Sequence, residues 1–372
     1  MAASPPRCLE LVGQNPTRLW GLTGEERWRR IGKALGLEAG DGMPRILANL
    51  DFACDPYWLK WISERPGHVV TREGEAVLAH CTDRASADAV RLAMIERRPP
   101  APSTATVLVA QEGFEARHDR QLRKREQPFI ERLTEERAPA IERRTYYAAY
   151  KGVTDLLTKY LWPEWALHIT RLAARLGLSP NAVTLIGAVF CVAAGVAFYR
   201  GHYWPGMAAA LVFMVLDTVD GKLARCTITS SRIGDVLDHG IDLVHPLIWW
   251  WAWGIGLAAY GRPVDPHLFL AVMAALVGGY VVQRLIEGLF ILWFRIHIHV
   301  WEPIDTRFRL VTARRNPNMV LLFVSLVFGR PDVGLIAVAA WTVLSCLFHL
   351  VRIVQARLRH GGAPIASWLE RQ

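Results

Sequence analysis

The rhythm of apolar and polar positions changes along this chain. Up to about residue 115, short apolar stretches alternate with charged ones: "CLELVG" reads as a strand and "GEERWRRIGKALG" as a helix. "RILANLDF", "HVVTREGEAVLAHC", "SADAVRLAMIERR" and "ATVLVA" continue a mixed α/β succession. Residues 116–146 are charged and predict a connecting helix interrupted near Pro128 and Pro139. Residues 147–178 predict an amphipathic helix in a membrane interface. Leu167, Ile169, Leu172, Leu176 and Leu178 form its apolar face beside His168, Arg171 and Arg175, with Trp162 and Trp165 as aromatic anchors. From about residue 181 long apolar runs take over. Six candidate spans follow, at roughly 181–200, 203–219, 240–260, 266–294, 317–330 and 332–354. A bilayer core takes about 20 apolar residues per helix, so the fifth is short and relies on Arg330 reaching the far interface.

The expected fold is therefore an all-α polytopic membrane domain of six transmembrane helices plus an interfacial helix, preceded by a small cytosolic α/β domain. The expected divisions are residues 1–115 for the α/β domain, 116–146 for the linker, 147–178 for the interfacial helix, 179–356 for the membrane domain and 357–372 for a cytosolic tail.

Charge adds an orientation. Lys222, Arg225 and Arg232 follow the second span, and Arg295, Arg307, Arg309, Arg314 and Arg315 follow the fourth. Arg352, Arg357 and Arg359 lie at the end, whereas the opposite side holds only Arg200, Arg262 and Arg330. Positive residues stay on the cytosolic side, which puts the N-terminus, the loop after span two and the C-terminus in the cytosol of a bacterial-type inner membrane. The net charge of +9 thus follows membrane topology and argues against a nucleic-acid partner. The six cysteines show no metal or disulfide spacing, and the first residues lack the apolar core of a signal peptide.

One stretch breaks the apolar pattern: "LDTVDGKLARCTITSSRIGDVLDHGID" at 216–242. Asp217 and Asp220 are three apart at the end of span two, and Asp238 and Asp242 four apart at the start of span three, each pair on one helical face. Intramembrane acids are costly and point to function. Clustered carboxylates without thiols or paired imidazoles select a hard cation such as Mg²⁺ or Mn²⁺, which also relieves their repulsion and attracts phosphates. Gly221, Ala224 and Gly234 leave room for a ligand to approach, and Arg225 can grip a phosphate. Asp235 is read as a loop or capping residue, with an extra metal ligand as the alternative.

The spacing Asp217-x2-Asp220-Gly221-x2-Ala224-Arg225-x8-Gly234-x3-Asp238-x3-Asp242 matches the signature of the CDP-alcohol phosphotransferases at all eight fixed positions. At ordinary residue frequencies a chance match arises about once in billions of starts. The resemblance covers about residues 147–356, including "SPNAVT" before the first span. It implies a transferase that cleaves the pyrophosphate of a CDP-alcohol, releases CMP and passes the phosphoalcohol to a hydroxyl acceptor. It further implies Asp217, Asp220 and Asp238 as metal ligands, Asp242 as general base, Gly221, Ala224, Arg225 and Gly234 around the CDP, and a homodimer. CDP-diacylglycerol with a polar alcohol acceptor of inositol-phosphate type is the leading substrate pair. A soluble CDP-headgroup with a lipid acceptor is the second.

Arg284 and Glu287 are read either as an ion pair or, with Arg314 and Arg315, as a pocket for a phosphorylated acceptor. His297 and His299 lack a third ligand for a metal. The N-terminal segment distantly resembles a nucleotidyltransferase, but its glycine-rich turn is reduced to Gly13 with Asn15-Pro16, and no Lys-Pro follows. It is expected to be degenerate, with Asp51 or Asp55 as the candidate acid were it active. Two other classes compete with the transferase. An ion-coupled transporter would need acids along a path and a repeated half, neither of which is present. A non-catalytic scaffold would not need the intact motif.

Overall fold

The computed structural model describes residues 8–100, 107–120 and 122–371. The side chains of Arg117, His118, Arg232, Ile233, Asp235, Leu237 and Asp238 lie outside that description. The N-terminal region is built on a six-stranded sheet in the order Glu38–Ala39, Cys8–Val12, Arg45–Asn49, Glu75–Cys81, His68–Arg72, Val107–Ala110. The first three strands are parallel, and Glu75–Cys81 runs antiparallel to both its neighbours. Arg45–Asn49 is central and buried throughout, as expected of a strand covered on both faces. Three helices flank it: α1 (Gly24–Ala34), α2 (Pro56–Ser63) and α3 (Arg84–Ile95). Each starts on a side-chain cap, respectively Thr23, Asp55 and Asp83, and Thr23 forms a capping box with Glu26.

The expected linker helix is mostly not a helix. Arg117–Asp119 pairs antiparallel with Lys124–Glu126, and Ile130–Arg132 pairs with Phe52–Cys54, so the α/β region continues past residue 115. Pro128 has no N–H for a helical ladder, and the helix begins only beside Pro139, which serves as an N-terminal residue of α4 (Ala138–Ala148). Residues 147–178 are likewise broken. A π-turn at Leu157–Leu161 precedes α5 (Pro163–Arg175), because Pro163 starts a new helix. Trp162 is buried, contrary to an anchor role, whereas Trp165, Leu172 and Leu176 of α5 are exposed.

Six long elements follow, with one short helix among them: α6 (Pro180–Tyr199), α7 (Tyr203–Cys226), α8 (Arg232–Ala259), α9 (Pro266–Phe294), α10 (Pro303–Arg309), α11 (Arg315–Val327) and α12 (Pro331–His360). Each expected span falls on one of them, α10 being the extra. By length and composition α6, α9 and α12 are apolar enough to cross a membrane. α7 carries its charges in its last ten residues. α11 has 13 residues, roughly 20 Å at 1.5 Å per residue, shorter than the hydrocarbon core. α7 and α8 both pack on α6, and α9 and α11 on α12. Close approach of α6 and α8 needs Gly256, where a Cβ would lie 1.9 Å from the Phe198 carbonyl oxygen. Phe198, Tyr203, Trp249 and Trp253 form the aromatic core beside that contact. Leu185, Val189 and Val192 of α6 stand exposed on one face, the pattern of a lipid-facing stripe.

Candidate functional site

A polar cleft of 470 Å³ opens where the charged ends of α7 and α8 meet the 149–158 segment, α9 and the start of α11. Asp217 and Asp242 line it from α7 and α8. They are joined by one cation: Arg315 donates from Nη2 to Asp217 Oδ2 (2.5 Å) and from Nη1 to Asp242 Oδ1 (2.6 Å). Arg315 opens α11, and its guanidinium also lies 5.3 Å from the Phe213 ring centroid.

Of the expected metal ligands, Asp217 and Asp220 line one small pocket beside Thr184. Asp220 is buried and accepts from Thr184 Oγ1 at 2.6 Å, which ties α7 to α6. The Asp238 and Asp235 side chains fall outside the described residues; their backbone lies in the first turns of α8. Among the described residues no three His, Cys, Asp or Glu side chains gather around one point. The donor chemistry is nonetheless all oxygen, and the space between Asp217 and Asp242 already holds a positive group. That is the charge a hard divalent ion would bring.

Of the expected CDP contacts, Gly221, Arg225 and the adjoining Lys222 line the cleft. A Cβ on Gly221 would meet Arg225 Nη2 at 3.2 Å, so the glycine gives that guanidinium its room. Ala224 is half-buried one turn further on. Gly234 works differently: a Cβ there would press on Asn181 Oδ1 at 2.8 Å, so it brings the start of α8 against the start of α6. Lys222, expected only as a topology charge, is buried. It donates to the Ala149 carbonyl (3.0 Å) and sits 3.3 Å from the Tyr150 ring centroid.

The residues of the expected acceptor cluster, Arg284, Glu287, Arg314 and Arg315, all line this cleft. Arg284 pairs with Glu287 at 3.4 Å, and both line the cleft. Glu287 also contacts Arg314 and lies 3.3 Å from His299 Nε2. Burial pushes the His297 imidazole down to about 4, and burial pushes His299 down as well, so both are neutral at pH 7.

Asp155 was not singled out by sequence reasoning. It accepts from the Thr158 N–H (3.0 Å), Thr158 Oγ1 (2.8 Å) and Asn316 Nδ2 (3.0 Å), and so fixes the residue after Arg315. Burial raises its carboxyl, but the Thr158 N–H, Arg309 and Asn316 outweigh it and the net direction is down. The available signal was an acid between Thr154 and Thr158 inside an apolar anchor segment. In the α/β region, Asp51 pairs with Arg97 at 2.9 Å, and Asp55 is the half-buried cap of α2. Neither lines the 1070 Å³ cavity beside Gly13 and Gln14.

The cleft thus combines paired acids with an excess of guanidinium groups at the charged ends of apolar helices. Residues 177–315 match the family model described as CDP-alcohol phosphatidyltransferase. A phosphatidylinositol phosphate synthase of Mycobacterium marinum is 31% identical over 154 residues, covering 40% of this chain and 56% of that protein. The chain thus spans about half the length of that relative. Cholinephosphotransferase 1 of Gallus gallus is 33% identical over 115 residues, covering 28% of this chain and 33% of its own. Among solved structures, Mycobacterium tuberculosis phosphatidylinositol phosphate synthase in complex with manganese and citrate aligns with a TM-score of 0.40 and 20% identity, covering 51% of this chain and 88% of that one.

Proposed function

We propose that the chain is an integral-membrane transferase of phospholipid synthesis. It moves a phosphatidyl group from CDP-diacylglycerol to the hydroxyl of an inositol-phosphate-type acceptor and releases CMP. The observation that carries this reading is the convergence of Asp217 and Asp242, from two different helices, on one cationic group inside the cleft. In this reading α6–α9, α11 and α12 all span the bilayer. The cleft, the N-terminus and the C-terminus face the cytosol, and two copies associate as a homodimer.

Asp217, Asp220 and Asp238 would hold Mg²⁺ or Mn²⁺, which supplies charge neutralisation for the pyrophosphate. Gly221 and Ala224 let the CDP lie against α7, with Arg225 on a phosphate and Gly234 keeping α8 close. Arg284, Arg314 and Arg315 draw the acceptor in. Asp242, 45% exposed, accepts the hydroxyl proton as the acceptor oxygen bonds to the phosphatidyl phosphorus. The bond from that phosphorus to the bridging oxygen breaks, and CMP leaves with the oxygen and the electron pair. Arg315, already on Asp242, orients that carboxylate for the transfer.

The likeness to a cholinephosphotransferase keeps a second pairing in play, a soluble CDP-headgroup with a lipid acceptor. One assay separates them. Purified protein with Mg²⁺ or Mn²⁺ receives labelled CDP-diacylglycerol and a panel of alcohols, then CDP-choline or CDP-inositol with diacylglycerol. CMP release and new lipid are scored, with Asp242→Asn as control. Acceptor-dependent release with CDP-diacylglycerol that vanishes in the variant supports the first pairing. Release only with CDP-headgroups supports the second, and none with any pair refutes the transferase.

A further inference from the structure

Outside the segment matched to the family, Arg123 and Lys151 line the cleft, and Arg123 reaches it from the N-terminal region. Arg123 lies at the turn between Arg117–Asp119 and Lys124–Glu126, with φ of +52°. A non-glycine residue in that region is uncommon and must be held there by its surroundings. The surroundings are specific. The Gly152 N–H donates to the Leu122 carbonyl at 2.8 Å, and a Cβ on Gly152 would lie 2.5 Å from the Arg123 carbonyl oxygen. Lys124 Nζ donates to the Ala148 carbonyl at 2.6 Å, fastening the hairpin to the end of α4. Arg120 pairs with Glu370 of the C-terminal tail at 2.8 Å. The Arg123 side chain thereby lines the same cleft as His297, Arg309 and Arg314.

These cations are under-paired. Arg309 is half-buried, its Nε and Nη1 atoms are buried without hydrogen-bond partners, and Nε of Arg123 and of Arg314 are likewise unmatched. Buried polar groups find partners, and guanidinium groups prefer the oxygens of phosphate. Glu287 and Asp155 face them, but each is already engaged, by Arg314 and His299 and by Thr158 and Asn316. Positive charge exceeds negative at this wall, and the depressed His297 agrees with the positive field, Arg123 being among its causes after burial.

We propose that Arg123 and Arg309 form a subsite for a phosphate monoester dianion. The N-terminal hairpin would then select a phosphorylated over an unphosphorylated acceptor. The inference rests on the transferase reading for the identity of that acceptor, and its test is a binding measurement independent of turnover. Full-length protein in detergent is titrated calorimetrically with inorganic phosphate, myo-inositol 1-phosphate and myo-inositol, with thermal unfolding run alongside to verify folding. Wild type binds both phosphates and not the free alcohol. Arg123→Gln and, separately, Arg309→Gln weaken both phosphates by about tenfold or more, the loss of one charge-assisted contact. Arg123→Lys retains most of the affinity. Loss of phosphate binding in the Gln variants of a protein that releases no CMP supports the subsite and refutes the transferase. If folded Arg123→Gln binds both probes as wild type does, or if myo-inositol binds as tightly as its phosphate, the subsite is refuted.

Discussion

Replacing Arg315 with Gln removes the cation between two site acids, and the structure gives the size of the effect. Arg315 and Asp217 are 16% and 14% exposed and meet at 2.5 Å. Stripping one partner from a buried pair costs about 3–5 kcal/mol, and the residual exposure favours the low end, about 3 kcal/mol. Asp242 is 45% exposed, so its share is discounted to about 0.5 kcal/mol. A loss near 3.5 kcal/mol lowers the melting temperature by roughly 4–5 °C for a chain of this size. Tryptophan fluorescence reports it, with 15 Trp in the chain, in detergent containing a chelator. A double-mutant cycle assigns the terms: coupling of about 2–3 kcal/mol between Arg315 and Asp217, and under about 1 kcal/mol between Arg315 and Asp242. Titrating Mn²⁺ afterwards stabilises Arg315→Gln more than wild type, since no guanidinium then competes for the carboxylates. Refutation would be a cycle with no coupling at Asp217, or equal Mn²⁺ stabilisation of both proteins. Either would mean that Arg315 does not hold the place of a cation.

Gly256→Ala forces a methyl into the Phe198 carbonyl and is expected to cost at least about 2 kcal/mol, read as lost folded yield and a lower melting temperature. Arg352 clasps Asp305 through two bonds of 2.6 and 2.8 Å, with the pair only 10% and 2% exposed. Arg352→Gln should therefore cost about 3–5 kcal/mol by the same thermal assay, more than any exposed arginine. His297 titrates near 4 when folded against 6.5 for the free imidazole, so between those values the unfolded chain binds more protons. Stability then falls as pH drops from 6.5 toward 4, by up to about 3 kcal/mol, and His297→Asn flattens that slope in a pH series of melting curves.

Helix positions in the membrane half were legible because long apolar runs have few alternatives, and each expected span lies on a helix. The linker was not legible. Ile130 and Arg132 sit in a charged context that local pattern reads as helix, yet Phe52–Cys54 needed a partner strand and found it there. Trp162 looked like an interfacial anchor because tryptophan often is one, but the break at Pro163 turns it inward. At the site, the period of 3.6 residues placed Asp217 and Asp242 correctly at the cleft. It also placed Asp220 beside Asp217, and the two line one small pocket in which Thr184 donates to Asp220. Arg315 was recognised as a positive charge at the mouth of a helix, but its bridge between two acids depends on the path of α11, which no local pattern encodes. Arg123 and Asp155 were invisible for the same reason: each matters through residues more than a hundred positions away.

The charge load of α7 also explains how the α/β region is joined to the rest. A helix carrying Asp217, Asp220, Lys222 and Arg225 in its last ten residues cannot be held in place by lipid at that end. Its final carbonyls bear partial negative charge and have no intrahelical donors. Two arginines of α1 satisfy them: Arg27 Nη1 donates to the Cys226 carbonyl at 3.2 Å and Arg30 Nη1 to the Thr227 carbonyl at 2.8 Å. Arg27 is buried while doing so, and Ile228, at φ +56°, packs into the core of the α/β region. Lys222 fastens the same helix to the end of the segment after α4. The end of the helix that presents Asp217 is thus held by contacts from the α/β region and the segment after α4. An α/β unit whose own candidate acids serve as a cap and an ion pair still has a structural reason to remain on the chain.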